Sequence, residues 1–142
     1  YRRLVHNADH APTTLSWGNE NRTALVRLPE ASNNATRLEF RLPSADSNPY
    51  LVFASILASV LNGIENEFNL EKETIGNAHA QHEPELGITW REAVHKTSVS
   101  SVVKEFFGDR FQQSYQCVKE SEIKRFESTI TDFEYNSYLR HL

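Results

Sequence analysis

Residues 37–42, Arg-Leu-Glu-Phe-Arg-Leu, alternate charged and apolar side chains without a break, and Pro43 ends the run. Successive side chains of a strand point to opposite faces, so Arg37, Glu39 and Arg41 share one face and Leu38, Phe40 and Leu42 share the other. An arginine–glutamate–arginine row reads in two ways. It is a solvated sheet face with local charge pairing, or the floor of a site that holds phosphates, a carboxylate and a metal.

The surrounding pattern gives this strand its company. Residues 14–28 read as an earlier strand, residues 36–42 as the later one, and the Glu-Ala-Ser-Asn-Asn run at 30–34 as the turn between the two. Asn48 is a good helix N-cap and Pro49 occupies the favoured first helical position, which predicts a helix from there to about residue 68. It is apolar nearly all round, so it should be buried against the sheet or a neighbouring subunit. Residues 69–87, with Gly76, Pro84 and Gly87, read as an irregular surface segment. Thr89 followed three residues later by Glu92 has the form of a capping box and opens a second helix over 90–98. Phe111, Tyr115, Val118, Phe126, Ile130 and Phe133 recur at helical spacing and place one apolar stripe on a long C-terminal helical segment. The expected class is α+β, antiparallel strands followed by helices, with loop and strands over 1–47 and a mainly helical part over 48–142.

Composition excludes several functions. The 142 residues suffice for one domain with a core, and the formal net charge of −4 argues against a nucleic-acid partner, which would need a basic face. The apolar run over 49–61 is interrupted by Ser55 and Ser59 and falls short of the ~20 residues a membrane span needs, so no membrane partner is expected. The lone Cys117 cannot form an internal disulfide and fits a reducing, cytoplasmic setting; in its helical stripe it reads as a packed thiol. Trp17 and Trp90 read as packing anchors. His79 and His82 lie in a predicted loop without a cysteine or carboxylate cluster at ligand spacing, which makes a metal pair the weaker reading. Methionine is absent, and a complete translation product begins with one, so the chain is expected to be a piece of something longer.

Several linked motifs carry a resemblance. Asn21-Arg22, then Arg27, then Arg37-x-Glu39-x-Arg41, then Asn48-Pro49-Tyr50-Leu51 stand in the order and spacing of the C-terminal part of the glutamine synthetase catalytic domain. Ser16-Trp17-Gly18, Gly76-Asn77, Gly108-Asp109-Arg110-Phe111 and the tail over 126–132 are more similar to the gamma-glutamylputrescine (polyamine) branch.

The resemblance implies an ATP-dependent ligase that forms a gamma-glutamyl amide from glutamate and ammonia, or from a polyamine or alkylamine. It implies Mg2+ or Mn2+ as cofactor, ATP as co-substrate, and homo-oligomers of stacked rings. A non-catalytic domain of the same kind is the competing reading, and retention of every motif arginine and Glu39 favours the enzyme. By the same resemblance Glu39 is a metal ligand, Arg3 and Arg41 hold the glutamate substrate, Arg22 sits near the transferring phosphoryl group, and Arg22, Arg27 and Arg37 contact ATP. Such a site needs further ligands from upstream or from another subunit, so the chain alone is expected to be inactive. Arg22 and Arg27 are five residues apart and cannot share a strand face by alternation; either Arg22 lies in a loop before the strand or a bulge intervenes.

The sequence departs from the family in two places. Where the family has a Pro-Gly-x-Glu-Ala-Pro loop, whose glutamate helps bind and deprotonate ammonium, residues 6–12 read His-Asn-Ala-Asp-His-Ala-Pro, one residue longer. Asp9 takes over the acidic role there or the role is missing, with His10 standing before Ala-Pro, which leaves room for a larger amine. The tyrosine that carries adenylylation in regulated bacterial members has no counterpart in residues 69–73, so that control is not expected.

Overall fold

The computed structural model describes residues 3–5, 11–86 and 89–139, in two compact units, residues 1–89 and 90–142. The α+β class is as expected: short strands come first and helices follow.

In the first unit a three-stranded sheet runs in the order β1 (Trp17–Asn19), β2 (Val26–Leu28), β3 (Glu39–Phe40). The expected antiparallel pairing holds for β2 and β3, which set Arg27 opposite Glu39 and Val26 opposite Phe40. It does not hold for β1 and β2, which pair in parallel with Trp17 opposite Val26. The single strand expected over 14–28 is therefore two strands with a turn between them. Glu20 takes a φ of +52°, a region that non-glycine residues seldom adopt, and its N–H donates to the Leu28 carbonyl at 3.0 Å. The chain doubles back over 20–25, and Arg22 lies in that turn. The strand expected over 36–42 shrinks to β3, preceded by a 3-10 turn at Asn33–Ala35.

The core of this unit is made of small side chains. Ala11, Ala24, Ala78 and Leu25 are buried, together with Thr13, Thr14, Ser16 and Thr74. The buried hydroxyls find partners, as they must to offset lost hydration: Thr14 Oγ1 with Ser16 Oγ at 2.8 Å, Thr74 Oγ1 with His82 Nε2 at 2.8 Å, Thr13 Oγ1 with His79 Nδ1 at 3.2 Å. His79 and His82 thus clasp the fold together, and they belong to no metal-holding cluster among the described residues. The irregular segment after residue 69 lies along β1. Thr74 N–H donates to the Trp17 carbonyl at 2.9 Å, and Trp17 Nε1 donates to the Glu71 carbonyl at 2.7 Å. Gly18 is required by this approach, since a Cβ there would stand 2.6 Å from the Thr74 oxygen.

Helix α1 (Pro49–Glu65) begins where expected, with Asn48 Oδ1 accepting from the N–H groups of Tyr50 and Leu51 at 3.0 and 3.3 Å. Of the two covers expected for it, the sheet does not serve. Only Ala58 is buried, while Tyr50, Phe53, Leu57 and Ile64 remain 62–83% exposed. An apolar helix needs a packing partner, and no described element of the first unit covers this face.

The second unit contains α2 (Trp90–Ser98), α3 (Ser101–Phe107), α4 (Asp109–Glu127) and α5 (Asp132–Tyr138). The long C-terminal segment expected from Phe111 onward is thus broken once, between α4 and α5. Gly108, at φ +82°, separates α3 from α4, and Thr131 caps α5 by accepting from the Glu134 N–H at 3.1 Å. Helices α2 and α3 pack on α4 around Val94 and Ile123, and Gln112 Nε2 donates to the carbonyls of Thr97 and Ser100 at 2.8 and 2.9 Å. Trp90 meets Phe126 edge-on at 6.0 Å, and Phe107, Phe111 and Tyr115 stack in turn at 5.0 and 5.7 Å. The expected stripe is not buried along its length, because Val118, Phe126, Ile130 and Phe133 are all exposed. Cys117 is exposed too, not packed. No helix among the described residues is long and apolar enough to cross a membrane.

Candidate functional site

Arg27 is the centre of the charged cluster. The antiparallel register of β2 and β3 sets it directly across from Glu39, and its Nη1 donates to both Glu39 carboxylate oxygens at 3.0 Å. Its Nη2 donates to Glu20 Oε2, and Glu20 Oε1 accepts from the Glu30 N–H. The Arg27 side chain is only 13% exposed, against 48% for Glu20 and 37% for Glu39. Two carboxylates thus hold one guanidinium. Hydrogen bonds that Arg27 donates to Glu20 first, then to Glu39, raise its pKa above the ordinary arginine value, and Arg27 in turn holds Glu20 below the usual carboxylate range.

Arg41 lies just past β3. Its backbone N–H donates to the Leu25 carbonyl at 2.9 Å, and its Nη1 donates to the carbonyls of Arg22 and, at 3.2 Å, Ala24. It therefore braces the β1–β2 turn from inside. Arg3 joins from the other side, its Nη2 donating to the carbonyls of Arg41 at 3.0 Å and Pro43 at 3.4 Å. Burial pushes the Arg41 guanidinium down from its ordinary value; Glu39 opposes this, and the charges of Arg27, Arg3 and Arg22 add to it.

These mutual influences define a cluster of Arg3, Arg22, Arg27 and Arg41 with Glu20 and Glu39. Among the described residues, four guanidiniums against two carboxylates leave a surplus of two positive charges, in a chain whose formal net charge is −4. Like charges are brought together at a cost, and an anionic ligand relieves it.

The turn that carries Arg22 is fixed by its neighbour. Asn21 Nδ2 donates to the carbonyls of Thr74 and Gly76, both at 2.8 Å, while its Oδ1 accepts from Thr23 N–H at 3.0 Å and Thr23 Oγ1 at 2.7 Å. Thr23 Oγ1 accepts in turn from the Ala78 N–H at 2.9 Å. Asn21 thereby uses its amide fully, and Arg22 projects from an immobilised turn with an exposed side chain. Of the two readings for the Arg22–Arg27 spacing, the loop is correct and the bulge is not.

Arg37 stands apart. It is exposed and donates to the Ala35 carbonyl at 3.3 Å, two residues back, because β3 begins only at Glu39. Asp9 and His10 lie outside the described residues. Sequence reasoning missed Glu20, whose contact with Arg27 depends on the parallel pairing of β1 and β2; the only sequence signal is a carboxylate beside the Asn-Arg pair.

Glu39 is the described cluster residue that suits a divalent cation. An ionised carboxylate offers about four lone-pair sites, and Arg27 meets it through a single nitrogen. No group of three or more His, Cys, Asp or Glu among the described residues could hold a metal ion, so Glu39 does not form a complete cage with its described neighbours.

Residues 1–138 match the family model described as glutamine synthetase, catalytic domain. The chain is similar to gamma-glutamylputrescine synthetase PuuA of Escherichia coli, 35% identical over 99% of this chain and 30% of the relative. It is similar to glutamine synthetase of Methanocaldococcus jannaschii, 34% identical over 98% of this chain and 32% of the relative. Gamma-glutamylethanolamide synthetase GlnA4 of Streptomyces coelicolor is 36% identical over 87% of this chain and 27% of the relative. The chain thus spans about a third of the length of these relatives.

Proposed function

Because the chain belongs to the glutamine synthetase catalytic-domain family, we propose that it forms the C-terminal part of a longer ATP-dependent ligase that joins the side-chain carboxylate of glutamate to ammonia. The carrying observation is the cationic surplus gathered around Arg27 and Glu39. It suits a reaction whose two larger substrates, a triphosphate and an amino acid, are both anions.

A free carboxylate is a poor electrophile, since its charge repels nucleophiles and oxide is no leaving group. Transfer of a phosphoryl group solves this. A carboxylate oxygen of glutamate bonds to the γ-phosphorus of ATP as the bond to ADP breaks, giving γ-glutamyl phosphate. The amine then bonds to the acyl carbon, phosphate leaves with its electron pair, and the nitrogen sheds a proton. The chain's residues serve this by placing charge. Arg27 and Arg37 bind the triphosphate, and Arg22 offers its guanidinium to the phosphoryl group in transfer. Arg3 and Arg41 orient the amino acid, a task suited to a planar fork that grips carboxylates in pairs. Glu39 would hold one Mg2+ or Mn2+, which when bound neutralises phosphate charge. The remaining metal ligands come from the rest of the enzyme or from a neighbouring subunit of a stacked-ring homo-oligomer, in the cytoplasm.

The acceptor has a second reading. Two relatives are named for gamma-glutamylputrescine and gamma-glutamylethanolamide, and the segment over 6–12 replaces a glutamate loop with one carrying Asp9 and His10. Ammonium must lose a proton before it attacks, which calls for a carboxylate within reach. Asp9 takes that role, and the longer loop admits an alkylamine or polyamine. The test is ADP release by the full-length enzyme with glutamate and ammonium, methylamine or putrescine in turn. Glutamate-dependent turnover with at least one amine is expected, falling sharply in Asp9→Asn and little in His10→Ala. Turnover that needs neither glutamate nor an amine contradicts the reading.

A further inference from the structure

Glu20 is fastened at more points than Glu39, although both touch Arg27. Its backbone N–H donates to Leu28, its Oε1 accepts from the Glu30 N–H, and its Oε2 accepts from Arg27. Those anchors sit at the end of β2, the strand that carries Arg27 itself. A φ of +52° at Glu20 directs the side chain back along that strand, a conformation held only where the surroundings over-determine it. Glu39 makes a looser contact from across the sheet: both of its oxygens share one nitrogen, Nη1. Arg27 is largely buried, and its Nε has no partner among the described residues, so its two Nη groups alone fix the guanidinium.

We infer that Glu20 is the positioning residue that keeps Arg27 aimed into the cluster, leaving the Glu39 carboxylate to serve a second ligand. The inference rests on the proposed role of Arg27 toward the triphosphate. When Glu39 turns to a cation, Arg27 loses one of its two anchors and meets a new repulsion. A guanidinium without a carboxylate would then favour solvent over a mostly buried setting. Glu20 prevents this because it moves with β2. The role needs both length and charge. Aspartate is one methylene short of spanning the Glu30 N–H and Arg27 together, and glutamine keeps the shape and an accepting oxygen but not the charge.

The test is a double-mutant cycle in the full-length enzyme with Glu20→Ala, Arg27→Ala and the pair, and with Glu20→Gln and Glu20→Asp as graded changes. Equilibrium affinity for ATP, the two KM values and Tm are measured on each. Glu20→Ala should weaken ATP binding and raise the KM for ATP by about tenfold while the KM for glutamate moves less than about twofold, and in the Arg27→Ala background it should add nothing. Glu20→Gln should recover part of the affinity and Glu20→Asp little. The inference is overturned if Glu20→Ala folds and leaves ATP affinity unchanged, or weakens it equally when Arg27 is already alanine. If Glu20→Ala does not fold, unchanged ATP affinity in Glu20→Gln overturns it. If Arg27→Ala itself leaves ATP affinity unchanged, the proposed role of Arg27 fails and this inference falls with it. An effect of Arg27→Ala without one of Glu20→Ala sinks the inference alone.

Discussion

The two units of this chain are held together by different means. Residues 90–142 are helices packed by hydrocarbon and aromatic contact, with Val94 and Ile123 at the centre and Trp90 against Phe126. Residues 1–89 have a core of alanines and threonines, and their loops are tied by side-chain hydrogen bonds from Asn21, Thr23, Trp17 and Glu20. Apolar packing is non-directional and tolerates small shifts, whereas a fully used amide such as Asn21 fixes a turn at particular atoms. The arginines of the candidate site all lie in the unit built by directional bonds.

The sharpest way to break that contrast is to remove single charges from the first unit. Glu39→Ala in the full-length enzyme should lower turnover by about 10³ or more and weaken divalent-metal binding, as loss of a group that holds charge in place. Wild-type activity of Glu39→Ala at low Mg2+ would remove the metal assignment. Arg22→Ala should lower kcat by about 10²–10³, and Arg41→Ala should mainly raise the KM for glutamate. The reverse pattern in the two mutants would exchange their roles.

A comparison of two stability mutants sharpens the contrast further. Ile123→Ala should cost about 2–5 kcal/mol through the cavity it leaves, with kinetic constants per folded molecule unchanged. Asn21→Ala removes four hydrogen bonds and should cost about 2–3 kcal/mol while also lowering kcat, because Arg22 loses its fixed turn. Denaturant unfolding beside steady-state kinetics separates the two, and equal kinetic damage from both would erase the distinction between the units.

The smallest expected effect is on acid stability. The Arg27 hydrogen bond first, then the Glu30 N–H, holds Glu20 below the ordinary carboxylate value, so folding favours its ionised form. The stability it contributes is present above the unfolded pKa of about 4.3 and is lost as pH falls through the lower folded value. Glu20→Gln should flatten the pH dependence of unfolding in that window. An unchanged slope would show that the pair adds nothing to the first unit.

Local signals made much of this fold legible, and long-range ones did not. Asn48 and Pro49 mark the start of α1, and α2 spans the residues its pattern predicts, because caps and periodicity act within one turn of chain. The 14–28 strand failed because its break depends on a positive φ at Glu20 and on the approach of Thr74 to Gly18, fifty-odd residues away in sequence. The break between α4 and α5 falls inside the stripe, because helical spacing of apolar residues does not show the Thr131 cap that starts a new helix. In the site, the Arg27–Glu39 pair follows from strand register, and Arg41 falls beside it. Arg37 does not join them, since β3 is too short to carry the alternation back to it. Glu20 was invisible because a parallel pairing across a tight turn brings it to Arg27.

The most direct test of the account follows the oxygen. Glutamate labelled with 18O in its side-chain carboxylate is supplied to the full-length enzyme with ATP and the preferred amine, and the released phosphate is analysed by mass. If the carboxylate is activated by phosphorylation, each phosphate carries one labelled oxygen, in step with gamma-glutamyl amide formed. Phosphate free of label, released at the same rate as ADP, would show that the cluster hydrolyses ATP without joining it to glutamate, and would contradict the account.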